Sequence, residues 1–175
     1  MKREPRENVV LIGFMGCGKS TMGIRLSYRL QYILEDTDKL IEARAGMPVR
    51  EIFASEGEEA FREMETQLLR KLAEKKGPRV YSVGGGTPVR TVNRPLLKKL
   101  GTVVYLRTRP ETVYERLKND TARPLLQGED PLGKIRSLMA DRETAYAETA
   151  DVILDVDEMT PDQVVESILW SIMQR

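Results

Sequence analysis

The octet Gly13-Phe14-Met15-Gly16-Cys17-Gly18-Lys19-Ser20 has the spacing G-x-x-x-x-G-K-[ST], directly follows an apolar strand-like run and opens a helical pattern. The chemistry it suits is anion binding. Gly13, Gly16 and Gly18 let backbone N–H groups turn inward around phosphate oxygens, and the helix that follows adds the positive end of its dipole. Lys19 would reach the β and γ phosphates, the Ser20 hydroxyl would bind Mg²⁺, and Cys17 and Thr21 complete the nucleotide-binding set. Cys17 reads first as a small residue filling a permissive loop position, yet it also lies beside Lys19 and a helix N-terminus, a setting that favours the thiolate and reaction with thiol reagents. The motif leaves the phosphoryl acceptor open, because GTP switches, motor ATPases and metabolite kinases share it. A guanine-reading Asn-Lys-x-Asp segment does not occur.

A second candidate is Asp36-Thr37-Asp38, after the apolar run Tyr32 to Leu34. Ligands gather at the carboxyl ends of strands in an open α/β sheet, so both carboxylates could share a site with the phosphate loop. Asp36 then serves Mg²⁺, and Asp38 orients or deprotonates an acceptor hydroxyl. The plain alternative is an acidic N-cap for a helix starting near Lys39. Histidine is absent, so proton transfer falls to carboxylates.

The elements that must position these residues read as alternating strands and helices. Apolar runs at Asn8 to Ile12, Tyr32 to Leu34, Val80 to Val83, Thr102 to Leu106 and Val152 to Leu154 have the length of buried strands. Helical spacing covers Ser20 to Leu30, Glu58 to Lys75, Pro110 to Lys118, Gly133 to Ala147 and a last stretch opened by Pro161, where Trp170 reads as structural. This is an α/β pattern with a parallel sheet. Two segments interrupt it, Gly46 to Gly57 and Asn119 to Gly133, and long loops in a compact domain are usually functional.

The whole-chain numbers exclude several classes. The 28 Lys and Arg nearly cancel the 27 Asp and Glu, leaving no global field to draw nucleic acid or an anionic membrane. One cysteine permits no internal disulfide and no thiolate metal site, as expected of a cytoplasmic protein. Met1 to Asn8 is charged and lacks the apolar stretch of a secretory signal.

In order and spacing, the segment Gly13 to Gly23, the run Asp36 to Glu42, Ile52-Phe53, Gly57-Glu58, Phe61 to Glu65, the triplet Gly84-Gly85-Gly86 and Arg123 to Leu126 resemble shikimate kinase. The resemblance implies transfer of the ATP γ-phosphate to the shikimate 3-hydroxyl, with ATP and Mg²⁺, by a three-layer α/β/α domain whose five parallel strands run in the order 2-3-1-4-5. It implies one domain over residues 1–175, with an acceptor-binding insertion at about 38–65 and a lid at about 119–133, and a monomer. Carried over position by position, it assigns Asp38, Arg62, Gly85 and Arg142 to shikimate, the two arginines pairing with its carboxylate as a planar guanidinium suits. Phe53, Phe61 and Leu125 would line the apolar side of that pocket, Arg123 would bring a cation to the transferred phosphoryl group, and Arg116 would stack on adenine. Read without the family, Arg62 is a surface charge with Glu65 one turn away, and Arg116 an exposed helix charge. The chain departs from the family at Thr144, where a proline is frequent, and at Met159, where a basic residue is common in some members. Another small-metabolite kinase, for gluconate or a nucleoside monophosphate, is the competing reading.

Overall fold

The structure is a computed structural model that describes residues 7–120 and 123–175. The expectations for Met1 to Arg6, and for Thr121 and Ala122 within the second long segment, lie outside the described residues.

Five strands form one sheet: β1 (Val9–Ile12), β2 (Ile33–Asp36), β3 (Arg79–Ser82), β4 (Thr102–Arg107) and β5 (Val152–Asp155). All neighbours are parallel and the order is β2-β3-β1-β4-β5, as the family resemblance implied. The central strand β1 is wholly buried, which its unbroken Val-Val-Leu-Ile run requires of a strand covered on both faces. The period of two then divides the core. Val10 and Ile12 pack toward α4 (Glu58–Leu72), α5 (Asn93–Leu100) and α7 (Pro131–Thr149), whereas Val9 and Leu11 pack toward α1 (Lys19–Leu30) and α8 (Pro161–Met173). The short α6 (Pro110–Leu117) joins the first group through Val113 and Leu117.

Several sequence expectations need correction. The segment Gly46 to Gly57 is mostly helix: α2 (Thr37–Ala45) ends at Gly46 in the left-handed region, and α3 (Val49–Glu56) starts after Pro48. β2 reaches Asp36, two residues past its apolar run, because its outer edge is unpaired and needs no continuous apolar sequence. Trp170 is 66% exposed and contributes nothing to the core, since the stripe Val164, Val165, Ile168, Leu169 and Ile172 leaves position 170 on the outer face of α8. No helix among the described residues is long and apolar enough to cross a membrane.

Candidate active site

The loop between β1 and α1 turns through Gly16 and Gly18, at φ of 76° and 102°, values that favour glycine. α1 begins at Lys19 with Gly18 as its N-cap, so no side chain satisfies the first N–H groups, and the uncapped helix end faces a cleft of about 540 Å³. The Lys19 ammonium lies back over the loop, donating to the carbonyls of Gly13 at 2.7 Å and Phe14 at 3.1 Å. Ser20 and Thr21 line the same cleft from the first turn of α1.

Cys17 also lines the cleft, but its side chain is 3% exposed and packs among the core residues of the α1 face, with Sγ 3.7 Å from Lys19 Nζ. The adjacency to Lys19 holds; the accessible thiol expected from the sequence does not. The loop's packing leaves a reagent little access to it.

The acidic pair divides its duties. Asp36 ends β2 and caps α2, its Oδ1 accepting the Lys39 N–H at 3.1 Å. The capping alternative is therefore realised at Asp36, which still opens into the cleft beside Ser20. A serine hydroxyl with one carboxylate suits Mg²⁺, which keeps several water and phosphate oxygens rather than a complete protein cage. Asp38, in the first turn of α2, is mostly buried, and its Oδ1 has no hydrogen-bond partner. Burial, reinforced by the charges of Asp36 and Glu65 and opposed by Lys19, pushes its carboxyl up to about 6. A carboxylate so placed is a strong acceptor for a hydroxyl proton near neutral pH.

The glycine triplet after β3 brings the remaining candidates together. A β-carbon on Gly84 would stand 2.7 Å from Asp38 Oδ1 and 3.1 Å from Glu65 Oε1; one on Gly86 would collide with the Arg62 guanidinium. One on Gly85 would find ordinary contacts, at 3.4 Å from the Gly13 carbonyl and 3.6 Å from Arg142 Nη1. The steric demand expected at Gly85 thus falls, within the protein itself, on its two neighbours. Arg62 lies near the rings of Phe53 and Phe61, 5.9 and 5.5 Å from their centroids, and Arg142 lies 5.6 Å from that of Phe14. Phe61 is a buried core residue, while Phe53 and Leu125 are partly exposed against the same cluster.

Glu65 is the residue whose setting the sequence misrepresents. It is no surface partner of Arg62 but a buried carboxylate, accepting Arg62 Nη1 at 2.8 Å and the Thr87 hydroxyl at 2.6 Å. Both lone-pair faces are thereby used, and its charge bears on Asp38. Nothing in the sequence signals this, because Thr87 lies 22 residues away.

Arg116, exposed, donates to the Gly16 carbonyl at 2.8 Å, and Met159 and Pro161 also line the cleft. Arg123, at the start of the 3-10 turn Pro124–Leu126, lines the cleft, with Nε 2.8 Å from Asp120 and Nη1 3.6 Å from the Met15 sulfur.

Known proteins match along this whole length. A family model described as shikimate kinase fits residues 15–173. The shikimate kinase of Neisseria meningitidis serogroup C is 47% identical over 147 residues, 84% of this chain and 86% of that protein. That of Symbiobacterium thermophilum is 42% identical over 170 residues, 96% and 97% of the two chains. Among solved structures, shikimate kinase from Acinetobacter baumannii in complex with shikimate superposes with a TM-score of 0.88 at 36% identity, covering 98% of this chain and 95% of that one.

Proposed function

The chain belongs to the shikimate kinase family, and from that premise we propose how its own residues carry out the family's reaction. It phosphorylates shikimate with ATP, a step toward the aromatic amino acids. The observation that carries the residue assignment is Asp38, a partly buried carboxylate with an unpartnered buried oxygen, standing between the phosphate loop and a glycine triplet that Arg62 and Arg142 approach.

In this reading the ATP phosphates lie over Gly13, Gly16, Cys17, Gly18, Ser20 and Thr21, and Lys19 exchanges its loop carbonyls for β and γ oxygens. Ser20 and Asp36 would hold Mg²⁺, which would supply charge neutralisation for the phosphates. Arg116 and the wall at Met159 and Pro161 border the adenine. Arg62 and Arg142 take the shikimate carboxylate, Gly85 gives close backbone approach, and Phe53, Phe61 and Leu125 supply the apolar side. Asp38 accepts a hydrogen bond from the 3-hydroxyl and then its proton, as the hydroxyl oxygen attacks the γ-phosphorus and ADP departs. Residues of about 38–65 form the acceptor-binding part of one domain and those of about 119–133 the lid carrying Arg123. The enzyme works as a cytoplasmic monomer with neither nucleic acid nor membrane as partner.

A coupled ADP-release assay across shikimate, gluconate and nucleoside monophosphates is expected to show turnover with shikimate alone, with phosphorus–proton NMR placing the new ester on the 3-hydroxyl. Turnover of another acceptor and none of shikimate would overturn the reading.

The triplet offers a finer test. Gly85→Ala adds a methyl that the protein accommodates but that intrudes on the acceptor, so it should melt within about 2 °C of the parent while raising the KM for shikimate ~10-fold, the scale of a lost close contact. Gly84→Ala presses on Asp38 and should lose turnover and stability together. Thermal melts paired with KM measurements separate the two.

A further inference from the structure

We propose that Tyr146 is a positioning residue for the phosphoryl acceptor, its hydroxyl fixing the Gly85 peptide beside Arg142 of the same helix face. This rests on Gly85 and Arg142 being acceptor contacts, as assigned above.

Tyr146 follows Arg142 by four residues on α7, so the two share a helix face. Its phenol is buried at 1% exposure, and the hydroxyl donates to the Gly85 carbonyl at 2.6 Å. A phenol has one proton to give and lone pairs to receive. Its proton is committed to Gly85, and the positive charge of Arg142, on the same helix face, lies near enough to act on the phenol. Burial holds the phenol near 12, against the lowering pull of Arg142, so the hydroxyl remains a donor throughout the working pH range.

The ring itself is held. Tyr105 lies against it with ring centroids 5.0 Å apart and tilted by 44°, and the Tyr105 hydroxyl donates to Glu143 at 2.6 Å, next to Arg142 in the chain. The Gly85–Gly86 peptide is trans, so turning the Gly85 carbonyl toward Tyr146 aims the Gly86 N–H the opposite way, across the triplet. Arg142 shares the helix face of Tyr146 and lies 5.6 Å from the centroid of the Phe14 ring of the phosphate loop. A Gly85 peptide held by Tyr146, with the Arg142 guanidinium resting over the Phe14 ring beside it, lowers the ordering cost of binding an acceptor there.

Tyr146→Phe keeps the ring and removes the hydroxyl. The KM for shikimate should rise ~10-fold, the scale of a lost buried hydrogen bond, with the KM for ATP within twofold and the melting temperature within about 4 °C. Incorporating 3-fluorotyrosine at position 146, which keeps the hydroxyl, should hold the shikimate KM within about twofold of the parent. Its fluorine resonance should shift when shikimate is added and stay in place with a non-hydrolysable ATP analogue, a readout that stands even if the Phe variant fails to fold. Arg142→Ala is measured in parallel. If it raises the shikimate KM and Tyr146→Phe does not, the positioning role is wrong and the acceptor site stands. If Arg142→Ala leaves that KM unchanged, the acceptor assignment itself fails. Equal drift of both KM values with a lowered melting temperature, or a fluorine resonance indifferent to shikimate, would assign Tyr146 to packing alone.

Discussion

Replacing Asp38 by asparagine should cost about 10³-fold in turnover, within the range for loss of a general base, and make the protein more stable. The carboxyl sits near 6 in the folded protein against 3.8 in its ordinary state, so the native form binds the proton more tightly than the unfolded chain does. The stabilisation this brings is complete below about pH 4 and is lost as pH rises through about 6. At pH 7.5 the ionised group therefore burdens the fold by up to about 3 kcal/mol, at about 1.4 kcal/mol per pH unit. Asparagine removes that burden, and a melting temperature about 5 °C higher is expected for a chain of this size. The parent's turnover should fall on the acid side with an apparent pKa near 6, and the variant should lack that limb. Circular-dichroism melts, ATP binding and a pH–rate profile check all three; near-normal turnover would mean that Asp38 is not the proton acceptor.

Arg123→Ala is the second large expected effect. An arginine brought to a transferring phosphoryl group is worth ~10³ or more in rate, because it meets charge that develops in the transition state. Turnover should fall by about that factor while the KM for shikimate changes only a few-fold, since the acceptor arginines stand elsewhere. Arg123→Lys should recover little. The guanidinium holds Asp120 through Nε and reaches Met15 through Nη1, two directions that a single ammonium does not reproduce. Single-turnover kinetics with saturating ATP separates the chemical step from product release. A variant that binds ATP poorly but transfers at the parent rate would move Arg123 from chemistry to nucleotide binding.

Different physical causes decided what the sequence disclosed. The phosphate loop was legible because each of its residue types answers a local demand: glycines at positive φ, a lysine to reach the phosphates and a helix end without a capping side chain. The strand order was implied by resemblance and not by spacing, since parallel strands are ordered by crossovers that leave no local mark. α3 escaped notice because Pro48 and Gly57 bracket eight residues of which one, Ile52, is buried, too little for a periodic pattern. α5, with Pro95 near its start, was likewise unread. Trp170 could have been placed from the stripe around it, which already occupies the inner face of α8. Glu65 could not. The pairing with Arg62 shows in the spacing along α4, but the burial depends on Thr87 arriving from the 3-10 turn after β3, of which charge spacing along one helix carries no trace.

The Gly85 position, 3.4 Å from the Gly13 carbonyl by way of a single added carbon, is where two separately encoded halves of the molecule meet. On the assignment proposed above, phosphate binding falls mainly in the stretch around residues 13–21, and acceptor recognition mainly in residues 37–86 and one face of α7. A lineage shifting toward a new acceptor has most of the second stretch free to vary without disturbing the first. At the seam that freedom narrows: a methyl at Gly85 fits the protein but, on that assignment, intrudes on the acceptor where it meets the phosphate loop, so diversification of this scaffold is expected to proceed around that position.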